Sequence, residues 1–246
     1  MFRNTVALLL LATSLPSAAQ QGGDLQAQIV YAYQTEDMNR MADLEASLRA
    51  QLEADGGDTA LRYHIAHAEY RYAELAAPAR PREAARAAGR CVDQLKPLLK
   101  HDPHNVEGLV LQSGCYAQLA GLNRIEALAL RRLGAERLDE ALRLAPRNPR
   151  ALLFAALRGL EPESANAPAR AGAMAQLRLA AELFAQASAT GVDAPGWGEG
   201  EAFLALGREM LRQGDALGAR NWIERALIAS PDYKAAQRAR AGLAGQ

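Results

Sequence analysis

The amino-acid sequence predicts an all-α protein: a right-handed superhelical solenoid of antiparallel helix pairs, with about nine to eleven helices. Three observations lead to this prediction. A helix–turn–helix spacing recurs along the chain, prolines break it at intervals, and no stretch alternates apolar and polar residues as a β-strand does. Half of the 246 residues are hydrophobic but only 5% are aromatic. The chain is therefore long and apolar enough for one sizeable helical domain.

The clearest repeat lies near the C-terminus. Phe203, Leu206 and Met210 recur at the spacing of one helical face, and a turn at 213–215 separates them from a second helix that ends before Pro231. The second helix carries a stripe of small and apolar residues, namely Ala219, Ile223 and Ala226. Gly207 is costly inside the first helix, by about 1 kcal/mol relative to alanine. We therefore expect another helix to pass close to it.

This spacing resembles the tetratricopeptide repeat (TPR), a helix–turn–helix unit of about 34 residues. Such a unit cannot bury its apolar face alone, so stacked units form a binding groove. The resemblance implies a non-catalytic protein–protein interaction scaffold or adaptor. The long, irregular hairpins also resemble periplasmic TPR proteins associated with some solute transporters.

Proline-centred breaks extend the repeat upstream. Pro103 and Pro146 lie 43 residues apart, so this unit carries roughly nine residues more than the usual 34. The predicted parts are N-terminal helices at 20–57 and a TPR-like domain at 58–246, with units at 58–104, 105–148, 149–191 and 197–233 and a capping helix at 233–244.

Residues 1–19 have the pattern of a signal peptide. Arg3 supplies the positive start, residues 6–11 the apolar core, and residues 17–19 a small-residue cleavage site before Gln20. The apolar run is too short to span a bilayer, and no cysteine follows it for lipid attachment. We therefore expect cleavage near Ala19 and export to a bacterial periplasm as a soluble protein.

The composition argues against several classes of function. The chain has 28 basic and 28 acidic residues, without the basic excess typical of nucleic-acid binding. Glycine-rich phosphate loops, serine elbows and paired-carboxylate motifs are missing from the sequence. We therefore expect no catalytic activity, no cofactor and no nucleic-acid partner. An enzyme would need polar groups that converge only in space.

The TPR resemblance also places a partner-binding groove on the first helix of each unit. Its groove positions include seven candidate binding residues: His64, Arg71, Glu107, Val110, Glu201, Leu204 and Arg208. The same positions include Leu61, Ala68, Gly114 and Ala117. The Lys-Asn-Arg clamp of chaperone-tail binders is missing. This mostly small or apolar lining fits an extended or helical segment of another envelope protein.

A second function remains open, that of a periplasmic small-molecule-binding or transporter-accessory protein. Stretched hairpins could enclose a cavity, and a buried pocket lined by His64, Arg71 and Tyr116 would favour this function. An open groove would favour the scaffold. The sequence identifies neither the partner nor the oligomeric state.

Two interpretations of Cys91 and Cys115 also remain open. In an oxidising compartment an even number of cysteines suggests a disulfide. A bridge between neighbouring helices would close a loop of about 25 residues and stabilise the fold by about 3 kcal/mol. Alternatively, both are buried thiols that act as small core residues.

His64 and His67 lie three residues apart on one predicted helix. Two histidines on one face can ligate zinc if further ligands converge there. The pattern is not His-Glu-x-x-His, and no acidic residue stands in the general-base position. We therefore expect no metal site, with His67 packed inside the repeat and His64 facing the groove.

Overall fold

The computed structural model describes residues 18–54, 58–161, 167–190 and 196–243, and within them it contains eleven α-helices and no strand. The helices are α1 (Ala18–Gln34), α2 (Met38–Ala54), α3 (Thr59–Ala76), α4 (Pro81–His101), α5 (Val106–Leu122), α6 (Ala127–Leu144), α7 (Pro149–Leu160), α8 (Ala167–Thr190), α9 (Glu199–Arg212), α10 (Ala216–Ala229) and α11 (Lys234–Leu243). Residues 1–17, which hold most of the predicted signal peptide, lie outside the described residues.

Consecutive helices pack as pairs. The most extensive packing joins α3 to α4, α5 to α6, α7 to α8 and α9 to α10, and α11 packs on α10. The predicted all-α architecture of stacked helix pairs is confirmed. None of the described helices is both long and apolar enough to cross a bilayer.

Asparagine side chains define where the repeats restart. Asn105 accepts a hydrogen bond from the backbone N–H of Gly108, and Asn148 accepts from those of Arg150 and Ala151. Each asparagine follows a proline by two residues, so the breaks seen in the sequence are helix N-caps.

The C-terminal pair packs as its spacing predicts. Phe203, Leu206 and Met210 of α9 are buried, as are Ala219, Ile223 and Ala226 of α10. A Cβ atom on Gly207 would lie 2.6 Å from the Ile223 side chain. Gly207 is therefore required by the close approach of α10.

The N-terminal helices join both ends of the solenoid. Ile29 and Ala32 of α1 belong to a core cluster with Leu61, Ile65 and Ala68 of α3. At the other end of α1, the side-chain amide of Gln34 donates a hydrogen bond to the Ser230 hydroxyl at 2.8 Å. Tyr33 lies against Tyr233, with ring centroids 6.1 Å apart. These contacts place α1 between the first and last repeat units.

Cys91 of α4 and Cys115 of α5 form a disulfide, with their Cα atoms 6.2 Å apart. Both residues are fully buried. The structure therefore has the bridged state of the two that the sequence leaves open, and the bridge ties the first helix pair to the second.

The repeat unit at 105–148, which carries the extra residues, has longer helices than the C-terminal unit. The helices α5 and α6 have 17 and 18 residues, whereas α9 and α10 have 14 each. The next helix, α7, has only 12. None of residues 127–133 at the start of α6 is buried. The helices α5 and α6 are thus five and six residues longer than α7.

Candidate functional site

The predicted groove residues do not form an open groove. Arg71, Val110 and Leu204 are at most 2% exposed. His64, Glu107 and Glu201 are partly buried, and Arg208 is exposed. This differs from the expectation that all seven face a partner. The cause is that the chain fills its own groove.

Arg71 is the clearest example of this filling. Its guanidinium lies 4.1 Å from the ring centroid of Tyr33 on α1 and 5.0 Å from that of Trp197. It also donates hydrogen bonds to Glu74 and to Glu201 of α9. Burial acts to lower the pKa of Arg71, but the charges of Glu201 and Glu74 act against it, and the pKa lies well above its ordinary value. Arg71 thus holds α1, α3 and α9 together.

Trp197 fills the rest of the groove. Its ring stacks on His67 at a centroid distance of 4.8 Å, and its indole N–H donates to the Tyr63 hydroxyl at 3.1 Å. Its backbone carbonyl accepts a hydrogen bond from Nε of Arg150. Gly198 follows in a left-handed conformation, with φ at 107°, packed against the ring of Phe184. The short segment at 196–198 therefore acts as an internal plug.

His67 has no ring nitrogen available for a metal or a proton transfer. Its Nδ1 contacts the side-chain amide of Gln26 at 2.7 Å, and its Nε2 accepts a hydrogen bond from Arg71 at 3.1 Å. Burial, and then the charge of Arg71, hold the pKa of His67 well below its ordinary value. His67 is therefore a neutral structural residue. No cluster of metal-ligating side chains occurs within the described ranges.

An open pocket of about 820 Å³ lies elsewhere, between α5, α6 and α7. We call it the α5–α7 pocket. Its lining includes Tyr70, Gly114, Ala117, Gln118, Leu128, Arg131, Arg132, Asp139, Phe154, Leu157, Arg158 and Glu161. It is lined mainly by apolar atoms, with charged side chains from α6 and α7.

The floor of the α5–α7 pocket is aromatic. The rings of Tyr70 and Phe154 lie 5.9 Å apart and tilted, and a Cβ atom on Gly114 would be 2.9 Å from the Tyr70 ring. Glycine at position 114 therefore lets both rings reach the backbone of α5.

Exposed leucines from two helices line the pocket. Leu128 on α6 is 83% exposed and Leu157 on α7 is 42% exposed. Ile125, three residues before Leu128, is 96% exposed. Two of the seven large hydrophobic side chains that are exposed in the described part of the chain line the pocket, Leu128 and Leu157, and two more, Ile125 and Leu133, lie within five residues of Leu128 in the sequence. Such clustering marks an interaction surface.

Charged groups lie between these hydrophobic side chains. Arg158 of α7 donates to Asp139 of α6 at 3.1 Å, which joins the two walls of the pocket. On α6, Arg132 donates to Glu136 at 2.9 Å. All four side chains are more than 40% exposed, so each pair contributes at most about 1 kcal/mol. These guanidinium groups can therefore exchange partners.

Gln118 supplies a fixed polar group in the wall. Its amide Nε2 donates to the backbone carbonyl of Tyr70 at 3.2 Å, which sets the orientation of the amide. Its Oε1 is buried and has no hydrogen-bond partner among the described residues. Gln118 therefore presents an acceptor, not a donor, to its unpaired side.

The sequence identified part of this site. Gly114 and Ala117 are groove positions in the predicted register, but none of the seven candidate binding residues lines the pocket. Leu157 was missed, although it lies eight residues after the start of α7, as Gly114 does in α5. His64, Arg71 and Tyr116, which would have marked a small-molecule cavity, do not line the pocket either.

Comparisons with known proteins support the fold. No protein-family model and no curated protein matches the chain. The structure is similar to the crystal structure of a thermophilic TPR protein from Thermus thermophilus, with a TM-score of 0.60 and 19% sequence identity. That alignment covers 93% of this chain and all of the other. The chain therefore has a TPR-like fold, and this likeness reaches no further than the fold.

Proposed function

We propose that the protein is a non-catalytic protein–protein interaction scaffold of the bacterial periplasm, and that the α5–α7 pocket docks a segment of another envelope protein. The observation that carries this proposal is the pair of exposed leucines, Leu128 and Leu157, in the lining of an apolar pocket. A TPR-like fold and the leader-like residues 1–19 support the type of protein and its location.

The apolar surface extends beyond the pocket itself. Ile125 lies three residues before Leu128 and is 96% exposed, but only Leu128 lines the pocket, so a molecule that only fills the cavity leaves Ile125 in water. A protein segment laid along α6 covers both. Exposed contiguous apolar surface of this kind is typical of protein-binding sites.

The polar groups of the pocket do not suggest a reaction. The hydroxyl of Ser113 donates to the carbonyl of Val110 in its own helix at 2.7 Å. Asp139 is exposed and paired with Arg158. The described lining thus contains no nucleophile held against a base, which favours binding over catalysis.

A second candidate function is binding of a small molecule, including an accessory role in transport. The pocket volume favours it, because about 820 Å³ falls within the range of about 300–1,000 Å³ for ligand pockets. In this case the exposed leucines need not contribute to binding.

The two functions can be distinguished in the cells that produce the protein. Tagged wild-type protein, L128D and L217D are crosslinked in the envelope, and the captured proteins are identified by mass spectrometry. Leu217 is a matched control, because it is 80% exposed on α10, away from the pocket. We expect one dominant partner with the wild type and L217D, lost with L128D.

Two results would contradict the scaffold. One is the same set of captured proteins with all three forms. The other is a pure protein without a partner that retains a small molecule in native mass spectrometry, which would establish the second candidate. Fractionation with intact-mass analysis tests the location, for which we expect a periplasmic protein that begins at Gln20.

A further inference from the structure

Resting on the proposed function, we infer that the docked segment is an amphipathic α-helix whose apolar stripe enters the α5–α7 pocket and whose flank carries carboxylates. The apolar stripe meets Leu128, Leu157 and the aromatic floor. The carboxylates meet the arginines of α6 and α7.

The lining of the pocket favours a helix over an extended segment. Apart from its charged side chains and the polar groups of Tyr70, Ser113 and Gln118, the lining is apolar, and Gln118 Oε1 is a buried acceptor. An extended peptide would bury backbone N–H and C=O groups without partners, which is costly. A helix pairs these groups internally, so it can lie in an apolar groove.

The lengths of the helices leave room for such an occupant. The helix α7 ends at Leu160 after 12 residues, five fewer than α5. At 1.5 Å per residue this is a difference of about 7.5 Å. Along this length residues 127–133 of α6 are not buried. A docked helix takes the place that a longer α7 would fill.

The arrangement of charge favours an acidic flank. Arg131 and Arg132 lie one turn after Leu128 on α6, and Arg158 lies next to Leu157 on α7. The acidic lining residues are Asp139, which is paired with Arg158, and Glu161, which follows α7. Arginine forms bidentate hydrogen bonds with carboxylates, and the existing exposed pairs are weak competitors.

Three synthetic peptides test the inference by fluorescence anisotropy with the full protein. All share one leucine stripe at helical spacing and are about 18 residues long, enough to form a helix in water. The first has glutamates along both flanks and the second has lysines. The third is the glutamate peptide with two central prolines, which prevent a continuous helix. We expect the glutamate peptide to bind at least about tenfold more tightly than either of the others.

Matched variants of the protein test which of its residues contact the peptide. Arg132→Glu should reduce the preference for the glutamate peptide several-fold, whereas Arg143→Glu, an exposed control on α6 outside the pocket, should not. L128D should abolish binding and L217D should preserve it. Added salt should weaken binding of the glutamate peptide.

Three outcomes would overturn the inference: equal or tighter binding of the lysine peptide, equal binding of the proline peptide, or no binding of any peptide. Each of them leaves the proposed function standing if L128D still loses its cellular partner. If capture in cells is the same with L128D, the proposed function fails instead.

Discussion

Glu69 on α3 shows how one residue joins three helices. Its side chain is fully buried and accepts hydrogen bonds from Arg49 of α2 and Arg90 of α4. Burial raises the pKa of Glu69 from its ordinary value of 4.5 to about 7, against the opposing hydrogen bond from Arg90. The neighbouring carboxylate of Glu45 acts in the same direction as burial.

This shift gives a pH dependence with a definite sign. Because the pKa of Glu69 is higher in the folded state, the folded protein binds more protons than the unfolded chain between about pH 4.5 and 7. The contribution of Glu69 to stability therefore increases as the pH falls from about 7 towards 4.5. Each unit of pKa difference corresponds to about 1.4 kcal/mol.

Glu69→Gln tests this prediction because it keeps the shape of the side chain and removes its titration. Urea unfolding of both proteins is measured between about pH 8 and pH 5. We expect the wild type to gain stability relative to the variant as the pH falls. His67 is common to both proteins, so its effect cancels. Glu45 is hydrogen-bonded to Glu69 and titrates together with it, so the difference between the two curves reports the Glu45–Glu69 pair. Parallel curves would contradict the shift.

Among the elements, the relative lengths of α5, α6 and α7 create the pocket. The repeat at 105–148 has extra residues, and these lengthen α5 and α6. The helix α7 is shorter, and among the described residues the first turns of α6, at 127–133, are not buried. The disulfide between α4 and α5 then fixes the wall of the pocket that α5 provides.

Removal of the disulfide should weaken the fold. The bridge joins residues 24 apart, and closing a loop of that size contributes about 3 kcal/mol. We expect a Cys91→Ala, Cys115→Ala double variant to lose about this much unfolding free energy in urea. A reductant should lower the stability of the wild type and leave the variant unchanged. Equal stability of the two proteins would show that the bridge contributes nothing.

At the scale of the whole molecule, α1 closes the solenoid on itself. Gln34 reaches Ser230 and Arg71 reaches Glu201, contacts that span 196 and 130 positions of the sequence. Together with Trp197 they occupy the face where the TPR resemblance places a partner. The open binding surface is therefore displaced to the α5–α7 pocket.

The separation of contacting residues along the chain explains what could be predicted from the sequence. The pair α9–α10 was predicted residue by residue, because Phe203, Gly207 and Ile223 follow a local spacing. The filled groove was not predicted, because Tyr33, Arg71 and Glu201 lie on helices far apart in the sequence and meet only in the folded chain.

The pocket was only partly predictable. Gly114 and Ala117 follow from the repeat register, and the extra residues of the second unit were visible in the proline spacing. The pocket also depends on where α7 stops relative to α6. No short stretch of sequence shows where one helix ends relative to a helix of another unit. Leu128 and Arg132 were therefore not recognised as binding residues.

The most direct test of the central claim is to map which face touches the partner. A photoreactive phenylalanine analogue is introduced at Ala117 in the pocket, at Arg208 on the groove predicted from sequence, or at Leu217 on α10. Each protein is irradiated in the envelope and the adducts are compared. The account predicts an adduct with one protein from position 117 alone. An adduct from position 208 and none from 117 would contradict it and return the binding site to the concave groove.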